Sequence, residues 1–114
     1  MAKIQKELYG DFDMILHAID GAVRDSSMSA TLEDYSDFYD QNSRCSVRIY
    51  ERYSYWGKNR VSLSITLYQT SGHIFISAIA SGGSQALFFK INTFGERAFL
   101  DTIEDTIEAF SMRY

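Results

Sequence analysis

VSLSITLYQTSGHIFISAIA, Val61 to Ala80, is the stretch whose reading decides the fold. Val61, Leu63, Ile65 and Leu67 alternate with Ser62, Ser64, Thr66 and Tyr68, the period of two that a strand with one buried face requires. Ser71-Gly72 supplies a tight turn. Ile74, Ile76, Ala78 and Ala80 then resume the apolar side, with Phe75, Ser77 and Ile79 opposite them. An antiparallel hairpin with one apolar face follows. The segment after it, SGGSQALFFKINTFGER (Ser81 to Arg97), leaves the second strand by a turn on Gly82-Gly83. It is expected to hold a short strand over Ala86–Ile91 and then to enter a C-terminal helix.

That helix is expected to open on a capping box, with Thr93 as N-cap and Glu96 three residues on. Phe99, Ile103, Ile107 and Phe110 form its apolar stripe, supported by Leu100, and Asp101, Glu104, Asp105 and Glu108 its acidic outer face. Glu104 and Glu108 oppose the helix dipole, so burial rather than propensity must hold it. At the other end of the chain, Ala2 to Tyr9 reads as a strand with Ile4 and Leu8 on one side and Lys3, Gln5 and Glu7 on the other. Gly10 breaks it and Asp11 is an N-cap. From Phe12 the spacing turns helical through Ile15, Leu16, Ile19 and Val23, with Asp13, His17, Asp20 and Arg24 on the flank facing water, and the helix ends at Asp25-Ser26-Ser27.

The middle of the chain reads as a meander. A two-residue turn at Asn42-Ser43 sets Leu32 opposite Tyr53 and Phe38 opposite Val47 on the inner side. Asp37 then meets Arg48, Glu33 meets Arg52 and Tyr35 meets Tyr50 on the outer side. This register also puts Asp34, Ser36, Cys45 and Glu51 inward. Gly57 in WGK marks the next turn. The expected fold is α+β, an antiparallel sheet of about five to six strands in the order β-α-β-β-β-β-β-α, with two helices on one face.

The 114 residues suit one domain, 1–114, and 46% hydrophobic content with eight Tyr and eight Phe suffices for a core without disulfides. Cys45 has no partner for an internal bridge, and the charged start, MAKIQKELYGDFD, lacks the apolar run of a secretory leader. The longest clean apolar run is too short to span a bilayer, so a cytoplasmic protein is expected. A net charge of −4 weighs against a phosphate backbone as partner.

The outer sheet face carries the functional expectation. It is expected to gather Tyr35, Tyr39, Tyr50, Tyr68, Phe75 and Ile79 around Ser46, Ser62, Ser64, Thr66 and Ser77, with Arg48 and Arg52 to one side. So little charge on an exposed sheet suggests an interaction platform, in the first place for a homodimer, in the second for an unidentified protein partner; a solvated face with Tyr and Thr chosen for β-propensity is the equal alternative. Stacking of nucleic-acid bases on the aromatics is the reading the charge disfavours. Gly82, Gly83 and Ser84 form a candidate anion loop, but without the GK[ST] ending of a phosphate loop a tight turn is the simpler account. Asp13 and His17 have ligand spacing without a third ligand. Asp34, Asp37 and Asp40 lack the spacing and glycine of a calcium loop, and two histidines build no nucleophilic triad. No metal, cofactor or catalytic residue is therefore expected. The alternative function is binding of a small apolar ligand between the sheet and the C-terminal helix. The topology resembles a shortened helix-grip fold of the lipid-transfer type, a likeness of fold that implies no function.

Three passages, LEDYSDF (Leu32 to Phe38), RIYERYSYWGKNRVSLSITL (Arg48 to Leu67) and SGGSQALFFKINTFGE (Ser81 to Glu96), resemble a family of short proteins of unknown function from Gram-positive bacteria. The likeness spans nearly the whole chain. It implies a one-domain intracellular bacterial protein, and no catalytic residue carries across with it.

Overall fold

The computed structural model describes residues 1–54, 59–82 and 89–112. Its elements are β1 (Ala2–Leu8), α1 (Phe12–Asp25), β2 (Thr31–Tyr39), β3 (Ser43–Ser54), β4 (Asn59–Thr70), β5 (His73–Gly82) and α2 (Phe89–Ser111). The strands form one antiparallel sheet in the order β1-β5-β4-β3-β2. The α+β class and the packing of both helices on one sheet face are as the sequence predicts.

The β4–β5 hairpin is the sheet's centre and follows its alternation. Val61, Leu63, Ile65 and Leu67 are buried beside Ile76, Ala78 and Ala80. Ser71 and Gly72 both take positive φ, 50° and 81°, the pairing a two-residue hairpin turn demands. Phe12, Ile15, Ile19 and Val23 of α1 and Phe99, Leu100, Ile103 and Ile107 of α2 close on this surface in one buried cluster. The Asp11 side chain caps α1 by accepting the Met14 N–H at 3.0 Å. Gly10 sits at φ +140°, where the Tyr9 N–H reaches the Phe110 carbonyl at 2.8 Å and an added Cβ would lie 3.6 Å from the Phe110 ring. Glu108, set against the dipole of α2, is held by an ion pair with Lys6 of β1.

Four local expectations are corrected. Helix α2 already includes Phe89, so residues 89–91 are helical rather than extended and Thr93 lies inside the helix, not at its cap. Glu96 instead turns back to the sheet. Its Oε1 accepts the Gly82 N–H at 2.9 Å, and its Oε2 lies 3.0 Å from the Met1 ammonium. Gly82 ends β5 rather than starting a turn. Gly83 and Ser84, the rest of Ala86–Ile91 before Phe89, and the Gly57 turn lie outside the described residues. The β2–β3 turn falls on Gln41-Asn42, because Tyr39 pairs with Arg44 and Asp40 bonds Ser43.

The fourth correction concerns a whole strand. The earlier turn and an irregularity between Leu32 and Asp34 reset the β2–β3 register. Tyr50 pairs with Leu63, Arg48 with Ile65, Ser46 with Leu67 and Arg52 with Val61. Side chains directly opposite share a face. Tyr50, Arg48, Arg52 and Ser46 therefore point to the helix side, not outward. Cys45, Val47, Ile49, Glu51 and Tyr53 point outward, and so do Asp34, Ser36 and Phe38 of β2. Tyr50 is fully buried.

Candidate functional site

The helix side of β3 explains the inversion. Its side chains meet the polar flank of α1. The Tyr50 hydroxyl donates to Asp20 Oδ1 at 2.6 Å, and Arg24 holds both oxygens of the same carboxylate at 2.9 and 3.0 Å. Arg44 forks onto Asp13 at 3.0 and 3.2 Å and lies 3.9 Å from the Phe12 ring centroid. Burial first, and the bond to Asp20 second, push the Tyr50 phenol well above its ordinary pKa. Asp37 accepts from buried Ser46 at 2.6 Å and pairs with Arg48 at 3.1 Å. The Ser46 hydrogen bond, more than Arg48, holds the Asp37 carboxyl below the usual carboxylate value, against the opposing effect of burial.

Here Asp37 and Arg48 do pair, as the sequence suggests, although they sit on the side facing α1. Glu33 is 3.9 Å from Arg60 instead of meeting Arg52. Tyr35 and Tyr39 share the helix side of β2 but stay open, 61% and 71% exposed, because the sheet runs past the edge of the helical layer. Between α1 and this overhang lies a groove of about 270 Å³ lined by Asp13, Leu16, His17, Asp20, Arg24, Leu32 and Arg48. Its acids and bases largely neutralise one another. Asp13, half of the Asp13–His17 pair, is committed to Arg44. Among the described residues no group of three His, Cys, Asp or Glu side chains is placed to hold a metal ion.

No helix among the described residues lies over the other face of the sheet. The ladder registers lay its side chains in rows across the strands. One row runs Glu7, Phe75, Tyr68, Cys45, Phe38; the next runs Gln5, Ser77, Thr66, Val47, Ser36; a third runs Lys3, Ile79, Ser64, Ile49, Asp34. Phe38 is 61% exposed, Tyr68 41% and Phe75 40%. Cys45, Val47, Ile49 and Ile79 are half-buried among their neighbours. Over β5, β4 and β3 these rows carry no charge. The charged groups stand at the margins: Lys3 and Glu7 on β1, Asp34 on β2, and the Glu51–Arg60 pair, 2.7 Å apart, at one end.

Tyr68 and Phe75 thus lie on the outer face as expected, while Tyr35, Tyr50, Arg48 and Arg52 do not. Phe38, Cys45, Val47 and Ile49 replace them. The alternation in RCSVRIYERY shows two parities, and hydrophobicity alone points the more apolar one inward, opposite to what the ladder shows. The signal that points the other way is remote in sequence: Asp13 and Asp20 on the flank of α1, waiting for Arg44 and the Tyr50 hydroxyl.

Fold and surfaces together define a small α+β protein with a five-stranded sheet whose described helices both lie on one side. The chain belongs to the Family of unknown function (DUF6054), whose model matches residues 1–111. No curated protein and no solved structure matches it. No helix among the described residues is long and apolar enough to cross a membrane.

Proposed function

We propose that this protein is a non-catalytic, cytoplasmic interaction module that pairs with a second copy of itself through the outer face of the sheet. The observation that carries the reading is the inverted β3 strand. Its apolar parity, Cys45, Val47 and Ile49, is spent on the side that no described helix covers, in line with Phe38, Tyr68, Phe75 and Ile79. With strands about 4.8 Å apart and residues about 3.3 Å apart, the face has a footprint of roughly 500 Å². Roughly 300 Å² of it, over β3, β4 and β5, is uncharged, the scale of the largest and often functional patches on monomers and the small end of specific interfaces. An uncharged centre inside a charged margin is also how interfaces are built. A twofold-related copy presents the same small hydroxyl-bearing and apolar side chains, so neither partner has to bury an unmatched charge.

Val47→Glu tests this by placing a charge at the middle of the face without touching the core beneath. The wild-type chain is expected to sediment as a dimer and Val47→Glu as a folded monomer. Tyr35→Glu, exposed on the opposite side, should leave the dimer intact. A wild-type monomer, or a dimer indifferent to Val47→Glu, would overturn the proposal.

A further inference from the structure

Arg52 differs from every other described arginine. Arg24, Arg44, Arg48, Arg60 and Arg97 each meet a carboxylate, Asp20, Asp13, Asp37, Glu51 and Asp101 respectively. Arg52 meets none among the described residues. It nevertheless stands on the helix side of β3, beside the fully buried Val61, with its guanidinium carbon 4.6 Å from the centroid of the buried Phe99 ring of α2. Burial alone pulls its pKa below the ordinary guanidinium value, with no anion to restore it. In a chain with fifteen acidic residues, the half-buried arginine of the sheet–α2 layer is the one left without a carboxylate among those described.

The guanidinium carbon lies over the Phe99 ring, and among the described residues no acceptor takes its N–H groups. Those groups are a planar fork of donors suited to the two oxygens of a carboxylate or phosphate. Its neighbours Val61, across the ladder, and Phe99 are apolar, so an anion held there would lie beside nonpolar side chains.

We infer that Arg52 is the anchor of a binding site, at the margin between the sheet and α2, for a small ligand that carries a carboxylate or phosphate on an apolar body. The site lies on the opposite side of the sheet from the self-association face and stands or falls independently of it. A half-buried cation without a carboxylate among the described residues loses part of its hydration in the free protein, and an oxyanion bound there neutralises it beside the ring.

The test follows the Arg52 side-chain Nε–H signal and, in wild type and variants alike, the backbone amide signals of Val61 and Phe99 by NMR during titration at constant ionic strength with decanoate below its micelle concentration, with inorganic phosphate, and with chloride as reference. Decanoate is expected to shift the Arg52 signal saturably while that of Arg24 stays in place. Arg52→Met should bind at least tenfold more weakly than wild type, and Arg52→Lys should fall between them, keeping the charge but losing the fork. Saturation by decanoate alone supports an apolar-tailed carboxylate as ligand. Saturation by phosphate, with or without decanoate, assigns the site to phosphate-bearing ligands. If neither anion moves the signal beyond the effect of chloride, or if Arg52→Met binds as wild type does, the assignment is overturned. Should Arg52→Met fail to fold, Arg52→Lys against wild type decides alone.

Discussion

Removing one oxygen from Tyr50 tests the direction in which β3 faces. Tyr50→Phe keeps the ring, which is fully buried, and deletes only the hydroxyl that donates to Asp20 at 2.6 Å. A hydrogen bond to a charged acceptor contributes about 1.5–3 kcal/mol. Asp20 keeps its two contacts to Arg24 and is 30% exposed, so water replaces part of what it loses. The cost should therefore lie near the lower end, about 1.5 kcal/mol, or on the order of 5 °C in the melting midpoint of a chain this size. Tyr68→Phe, on the open face, should change stability by less than about 0.5 kcal/mol in the same urea titration, read by circular dichroism at low protein concentration. If Tyr50→Phe is as neutral as Tyr68→Phe, Tyr50 does not point into the molecule, and both the β3 register and the interface drawn from it are wrong.

Raising the pH gives a second view of the same group. The folded state holds the Tyr50 phenol above its ordinary value of 10.0, so this group's contribution is complete below about pH 10 and is lost as pH rises beyond it. Tyr50→Phe should remove a late, alkaline step in phenolate absorbance; the reasoning fails if that step survives. Asp37 has the opposite sign: its folded pKa lies below 3.8, so its contribution is present above that pH and is lost as pH falls through the lower folded value. Carboxyl NMR should find Asp37 titrating below 3.8, and Ser46→Ala should move it upward; a wild-type value at or above 3.8 refutes the assignment. Gly10→Ala should cost roughly 1–3 kcal/mol, because φ +140° is a conformation that side chains resist and the new Cβ approaches Phe110; an unchanged denaturation midpoint would show that the β1–α1 turn relaxes.

How far the sequence reaches varies along the chain, for physical reasons. Strands β4 and β5 lie in the middle of the sheet under both helices, where burial decides each position, so alternation alone assigns their faces correctly. Helix α1 is equally legible, from its Asp11 cap to its apolar stripe. Strand β3 is not, because its inward side meets the edge of the helical layer. There a buried tyrosine with a carboxylate acceptor, and arginines that reach Asp13 and Asp37, are as acceptable as valine and isoleucine. Binary hydrophobicity then picks the wrong parity, and one misplaced turn residue leaves the error undetected. The start of α2 is not legible because Thr93 and Glu96 match a capping box that Glu96 does not form; its carboxylate is used by the Gly82 N–H and the Met1 ammonium instead. Arg52 is expected on the outer face opposite Glu33 for the same reason as Tyr50, and its lack of a carboxylate among the described residues has meaning only once its side of the sheet is known.

The central claim is that two copies meet over Val47 and Ile49. The most direct measurement is an isotope-filtered NOE experiment on an equimolar mixture of ¹³C-labelled and unlabelled protein, which reports only contacts between chains. The account predicts intermolecular NOEs from the methyl groups of Val47, Ile49 and Ile79 to Tyr68 and Phe75 of the other copy. A spectrum without intermolecular NOEs to these methyls, whether the protein is a monomer or pairs through another surface, would contradict it.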